Sequence, residues 1–320
     1  MSRIHEALKR AEQERAAALG GQPAESAPPA ASPESAVDET LARIAVRVAP
    51  TESRHEGRAA VAEAAPPAPS FVNELNWDMV LSRCAQGRWN PDSKTMLFCN
   101  QEENGRGTEQ FRTLRSRLYY MRERLPLKKI LVTSALPKEG KSFVAANLAQ
   151  VLARQHGRRV LLIDGDMRAP RLQAAFGTTS TPGLGDYLLG EGDELSIIQK
   201  GTMDGLFFIP CGRTVEHPAE LIANGRLKVL LQRLEPLFDW IVLDSPPAIP
   251  VSDASQLAGF CDGVMLVVRS NATPYDSAQR ARREFQGKTI VGVVLNGISK
   301  DGSYARYYYD VYERPPQSKA

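Results

Sequence analysis

Phosphoryl chemistry needs a cationic cradle and a set of carboxylates, and this 320-residue sequence carries both at the ends of short apolar runs. Ser134 to Ser142 reads SALPKEGKS, after the strand-like Lys129–Thr133 (KILVT) and before the helical pattern Phe143–Arg154 (FVAANLAQVLAR). A strand, a tight loop ending in Gly-Lys-Ser and a helix make a phosphate-binding loop. The N–H groups of Lys138, Glu139, Gly140, Lys141, Ser142 and Phe143 would point at an anion, and the Lys141 ammonium adds a full charge. Ser142 offers a hydroxyl to Mg²⁺. Ala135 stands at the first glycine position of the usual pattern.

Three carboxylates lie at or just beyond strand-like runs. Asp164 closes RVLLID, Asp166 follows it in DGDMR, and Asp244 closes DWIVLD before Ser245, Pro246 and Pro247. Strand ends of this kind face the crevice that holds the phosphate loop, so all three can converge on one metal–nucleotide site. Asp244 and one of Asp164 or Asp166 would complete a Mg²⁺ shell with Ser142. The other would orient a hydroxyl acceptor or take its proton. The residues alone leave Asp164 and Asp166 interchangeable. An isolated Asp in such a place is more often a turn cap; two such strands beside a phosphate loop favour the site.

The elements that must position these groups alternate strand and helix. Strands are expected at Arg159–Asp164, Leu206–Pro210, Asp239–Asp244, Gly263–Val268 and Ile290–Leu295, with helices at Pro218–Leu237 and about Pro274–Phe285. Apolar runs without alternation, separated by helices, mean parallel strands buried on both faces. The expected fold is therefore a doubly wound, mostly parallel α/β domain of the P-loop NTPase type. Upstream, Glu109–Arg124 (EQFRTLRSRLYYMRER) is a helix with Phe111, Leu114, Leu118 and Met121 on one face. Glu109, Arg112 and Arg115 follow at intervals of three, as an internal ion-pair ladder or as a charged surface for another protomer.

The remaining chain sets boundaries. Residues 1–18 read as a short amphipathic helix, either solvated or docking a partner, and residues 19–70 as an Ala/Pro-rich disordered linker. Residues 71–106 form an N-terminal extension, with a short strand expected at Thr95–Cys99 and no chemical role apparent. The catalytic domain spans 107–300 and a tyrosine-rich tail 301–320. That tail holds Tyr304, Tyr307, Tyr308, Tyr309 and Tyr312, five of the chain's nine tyrosines. Without apolar alternation it reads as mobile chain presenting phenol hydroxyls. A net charge of +3 with mixed signs argues against nucleic acid as the main partner. Cys84, Cys99, Cys211 and Cys261 lack metal or disulfide spacing. No signal peptide and no run of about 18 apolar residues is present, so a cytoplasmic protein is expected, reaching a membrane only through a partner.

Taken in order, SALPKEGKS, LLIDGDMRAP, IVLDSPP and the upstream EQFRTLR resemble the motifs of the bacterial tyrosine kinases of exopolysaccharide and capsule export, over about residues 100–312. HPAELI resembles a further family segment, with His217 where Asn is usual. The resemblance implies an ATP- and Mg²⁺-dependent autokinase that phosphorylates the five tail tyrosines on a neighbouring subunit, and it favours Asp164 as the base. It implies a homo-oligomeric ring joined through Glu109, Arg112 and Arg115, and an adenine contact at Asn296, which could otherwise be a strand-end turn residue. It further implies a membrane-bound polysaccharide co-polymerase as activator and a protein tyrosine phosphatase as antagonist. The alternative is a partition- or division-site switch ATPase of the ParA/MinD type. Its signature lysine would fall at position 136, which is Leu136 here.

Overall fold

A computed structural model describes residues 75–98 and 106–298. The expected helix at 1–18, the linker and the tyrosine tail lie outside the described residues.

Eight strands form one sheet in the order β1-β4-β5-β3-β6-β2-β7-β8. They are β1 (Ala85–Gln86), β2 (Lys129–Ser134), β3 (Val160–Asp164), β4 (Gln199–Lys200), β5 (Leu206–Ile209), β6 (Trp240–Asp244), β7 (Gly263–Arg269) and β8 (Ile290–Asn296). Every pairing is parallel except β4 with β5. Alternate residues of the central strands feed two cores. Leu131, Leu161, Ile163, Ile241 and Leu243 pack on one face, and Ile130, Val132, Leu162, Trp240 and Val242 on the other. Both faces are dry, which is why these strands read as unbroken apolar runs.

In chain order the helices are α1 (Trp77–Arg83), α2 (Arg106–Arg122), α3 (Lys141–Ala153), α4 (Leu172–Phe176), α5 (Leu184–Leu189), α6 (Pro218–Ala223), α7 (Arg226–Leu234), α8 (Asp253–Ala258) and α9 (Tyr275–Glu284). Helices α2 and α3 cover the second face, meeting edge-to-face at Phe111 and Phe143 with ring centroids 6.0 Å apart. The expected single helix over Pro218–Leu237 is instead α6, α7 and a 3₁₀ turn at Glu235–Leu237. The break falls at Asn224–Gly225, where Gly225 is left-handed (φ 85°) and starts a new helix.

The extension is built into this fold. Strand β1 pairs with β4 at the sheet edge, and the Trp89 ring packs on Phe176 with centroids 4.9 Å apart. The strand expected at Thr95–Cys99 does not form through Phe98, its last described residue. Its backbone bonds to side chains on and just after α3 instead of a ladder: Asn147 Oδ1 accepts the Leu97 N–H (2.8 Å), Asn147 Nδ2 donates to the Thr95 carbonyl (2.8 Å), and Arg154, which caps the helix, donates to the Phe98 carbonyl (2.6 Å). An apolar TMLF run suggests a strand only if neighbouring backbone is free to pair. Here a helix supplies the partners.

Candidate active site

The phosphate loop runs from the end of β2 to the start of α3. Lys138 (φ 66°) and Gly140 (φ 95°) are left-handed, and a Cβ on Gly140 would collide with the Asn296 amide, so glycine is required there. The loop is held from behind. Glu139, 3% exposed, accepts the Leu136 N–H through Oε2 (2.8 Å) and the Thr273 hydroxyl through Oε1. Asn296 Nδ2 donates to the Glu139 carbonyl (2.9 Å), and Arg269 Nη1 donates to the Lys138 carbonyl (3.1 Å). The side chains of Glu139 and Asn296 thus brace the loop, and neither lines the pocket in front of it.

That pocket holds about 630 Å³ and is lined by Lys138, Gly140, Lys141, Ser142 and Phe143 on the loop side and by Asp166, Arg168 and Leu172 opposite. Lys141 Nζ is paired with Asp166 Oδ2 at 2.7 Å and lies 3.3 Å from Ser142 Oγ. Burial works against the Lys141 charge, but Asp244, Asp166 and Asp164 outweigh it and raise its pKa. The other oxygen of Asp166 accepts the N–H groups of Arg168 (3.3 Å) and Ala169 (3.0 Å).

Asp164 and Asp244 lie behind this wall, fully buried and in register on the adjacent strands β3 and β6. In-register parallel neighbours point to the same face, so the two carboxyls stand side by side. Burial, then repulsion from Asp244, pushes Asp164 up to about 8, although Asp166 and Leu172 N–H groups bond to it. Burial also raises Asp244, to about 6, with Lys141 the main opposing influence. Ser142 is near enough to ease the Asp244 charge, yet no hydrogen bond of good geometry reaches either Asp244 oxygen. Buried carboxylate oxygens are rarely left without a partner. Two of them, beside a serine hydroxyl and a second carboxyl, are hard oxygen donors suited to Mg²⁺.

Several residues of this site escaped the sequence reading. Thr95 and Met96 of the extension line the pocket, as does Arg171. Asn147 holds Thr95 and Met96 there from the middle of α3, where Asn147 and Gln150 are the polar residues of an otherwise apolar run and give the sequence signal. Asn147→Ala would orphan the Leu97 N–H and the Thr95 carbonyl, at about 1–3 kcal/mol. The expected result is a drop in Tm of roughly 2–10 °C, with faster proteolysis between Arg88 and Arg106, read by thermal melts and limited trypsin digestion. An unchanged melt would refute the brace. Glu109 and Arg112 pair on the half-exposed face of α2, whereas Arg115 donates to the Val151 carbonyl (3.1 Å) and so ties α2 to α3.

Residues 130–315 match the family model of the CobQ/CobB/MinD/ParA nucleotide binding domain. Tyrosine-protein kinase YwqD of Bacillus subtilis (strain 168) is 34% identical over 210 residues, covering 64% of this chain and 88% of YwqD. The chain belongs to the bacterial tyrosine-protein kinases. The kinase domain of Escherichia coli tyrosine kinase ETK superimposes with a TM-score of 0.58 at 31% identity, over 61% of this kinase and 77% of that chain. The putative tyrosine-protein kinase EpsB of Ralstonia solanacearum is 33% identical over 66% of this kinase, which spans only 30% of EpsB. Among the described residues, no helix of this kinase is long and apolar enough to cross a membrane. Its nucleotide-binding domain is the pocket-bearing α/β unit described above, and the described cysteines Cys84, Cys211 and Cys261 are free.

Proposed function

We propose that the chain transfers the γ-phosphoryl group of ATP to Tyr304, Tyr307, Tyr308, Tyr309 and Tyr312 of a neighbouring subunit, as part of exopolysaccharide or capsule production. The observation that carries this reading is the meeting of Lys141, Ser142 and Asp166 in one pocket, backed by the unpartnered Asp244. The N–H groups of residues 138–143 and the Lys141 ammonium hold the β- and γ-phosphates. When nucleotide enters, Lys141 exchanges the Asp166 carboxylate for phosphate oxygens and releases Asp166. Asp166 lines the pocket and Asp164 does not, which supports Asp166 as the group that takes the phenol proton while the phenol oxygen attacks the γ-phosphorus and ADP departs. Asp164, Asp244 and Ser142 would hold Mg²⁺, which would neutralise charge on the phosphates. Asp164 then belongs to the metal side, a departure from the role that the family resemblance favours.

In this reading Glu109 and Arg112 face the next protomer, and a membrane-bound co-polymerase recruits and activates the kinase at the inner face of the membrane. A protein tyrosine phosphatase resets it. Asp310 and Glu313 would repel added phosphates, so repeated phosphorylation loosens the tail. The test is incubation with labelled ATP and Mg²⁺ followed by mass mapping. Phosphate is expected on the tail tyrosines and lost when all five are changed to Phe. ATP hydrolysis without phosphotyrosine, even with the membrane partner present, would sink the kinase reading and favour a ParA/MinD-like switch.

A further inference from the structure

The turn that carries Asp166 is anchored to helix α8, which follows Asp244 in the chain, by one ion pair. Arg168 donates to Asp253 twice, Nε to Oδ2 at 2.7 Å and Nη2 to Oδ1 at 3.0 Å. The Asp253 side chain is 1% exposed, on the first turn of α8 and nine residues after Asp244, whereas Arg168 is 42% exposed and lines the pocket. The backbone of the same Arg168, with Ala169, donates to Asp166 Oδ1. A chain of direct contacts therefore runs from α8 through the Arg168 fork and its N–H to the Asp166 carboxylate. Asp164 and Asp244 need no such link, since the β3–β6 ladder holds them in register. Asp166 stands two residues past the end of β3, beyond the reach of that ladder. A planar fork on a buried carboxylate fixes angle as well as distance, which a single point charge does not.

We propose that Asp253 is a positioning residue for phosphoryl transfer, which through Arg168 holds Asp166 at the angle the transfer needs. The proposal rests on the kinase reading for the identity of the acceptor, but not for the geometry.

The experiment compares Asp253→Asn, Arg168→Lys, Arg168→Gln and the double variant Arg168→Gln/Asp253→Asn. It measures kcat and ATP KM for tyrosine phosphorylation, ATP hydrolysis separately, and Tm. Asp253→Asn and Arg168→Lys are each expected to lower kcat by roughly 10- to 100-fold, the scale of a misplaced reacting group, with ATP KM within about twofold. The double variant should be no worse than Arg168→Gln alone, because both changes break one link. A folded Asp253→Asn with unchanged kcat, a loss carried by KM, or losses that multiply in the double variant would overturn the proposal. If Asp253→Asn melts below assay temperature, Arg168→Lys carries the test, since it leaves the buried acid a cationic partner. Absence of phosphotyrosine in the unsubstituted chain would remove the kinase reading. The same cycle on ATP hydrolysis then still tests the Asp253 link.

Discussion

Lys141→Met is expected to lower tyrosine phosphorylation by about 10³-fold or more, since removing even one neutral donor to a developing charge costs about 10²–10³. Methionine is unbranched and nearly as long as lysine, so it can fill the same buried channel. What disappears is the one ammonium paired at 2.7 Å with Asp166 and drawn on by Asp164 and Asp244 as well. Two results separate this from simple loss of fold. Binding of ADP should weaken with the activity, because the phosphates lose their full cationic partner. The nucleotide-free protein should also lose some stability, since Asp166 is 2% exposed and would keep no cation at its Oδ2. Lys141→Arg keeps the charge but moves it, and should recover stability more than activity. Phosphotyrosine at the unsubstituted level in a folded Lys141→Met protein would mean that the loop does not hold the transferred group.

The fold was legible to the extent that its strands are buried on both faces. WIVLD and RVLLID have no polar residue between their ends, and both strands lie within a residue of the expected bounds. The split at Gly225 was harder, because α6 and α7 together keep a helical apolar pattern and only backbone conformation divides them. At the site, Lys141, Ser142, Asp164, Asp166 and Asp244 were legible because their spacing after strands dictates convergence. Partners from distant sequence were not. Asn147 bonds Leu97, 50 residues away, and Arg168 bonds Asp253, 85 residues away, and neither separation follows a helix or strand period. Glu139 and Asn296 show the converse. The family resemblance implies an adenine contact at Asn296, yet its amide donates to the Glu139 carbonyl. The Glu139 side chain is taken up by the Leu136 N–H and the Thr273 hydroxyl, which leaves only its backbone N–H to face an anion.

Asp244→Asn should make the nucleotide-free protein more stable while abolishing its response to Mg²⁺. In the folded protein the Asp244 and Asp164 carboxyls have pKa values of about 6 and about 8, both above the ordinary aspartate value of 3.8. A carboxyl raised in this way favours the folded state while protonated, and that advantage is lost as pH rises through the folded value. Cation-free protein should therefore lose stability from about pH 4 to about pH 8 through these two groups. At pH 8, Asn removes one buried charge that has no hydrogen-bond partner and relieves its neighbour Asp164. A gain of about 1–3 kcal/mol corresponds to roughly 2–10 °C in Tm, and the pH slope should flatten. Adding Mg²⁺ with ADP should raise the Tm of the unsubstituted protein, as a ligand that binds only the folded state must. The variant should show little of that rise and should lose phosphorylation by about 10²-fold or more, on the scale of other electrostatic losses in active sites. A lowered cation-free Tm at pH 8 would mean that Asp244 has a structural partner. An intact Mg²⁺ response would place the metal elsewhere. Gain of stability with loss of function is what a carboxylate held ready for a cation predicts, since its cost in the empty site is the same charge that binds the metal.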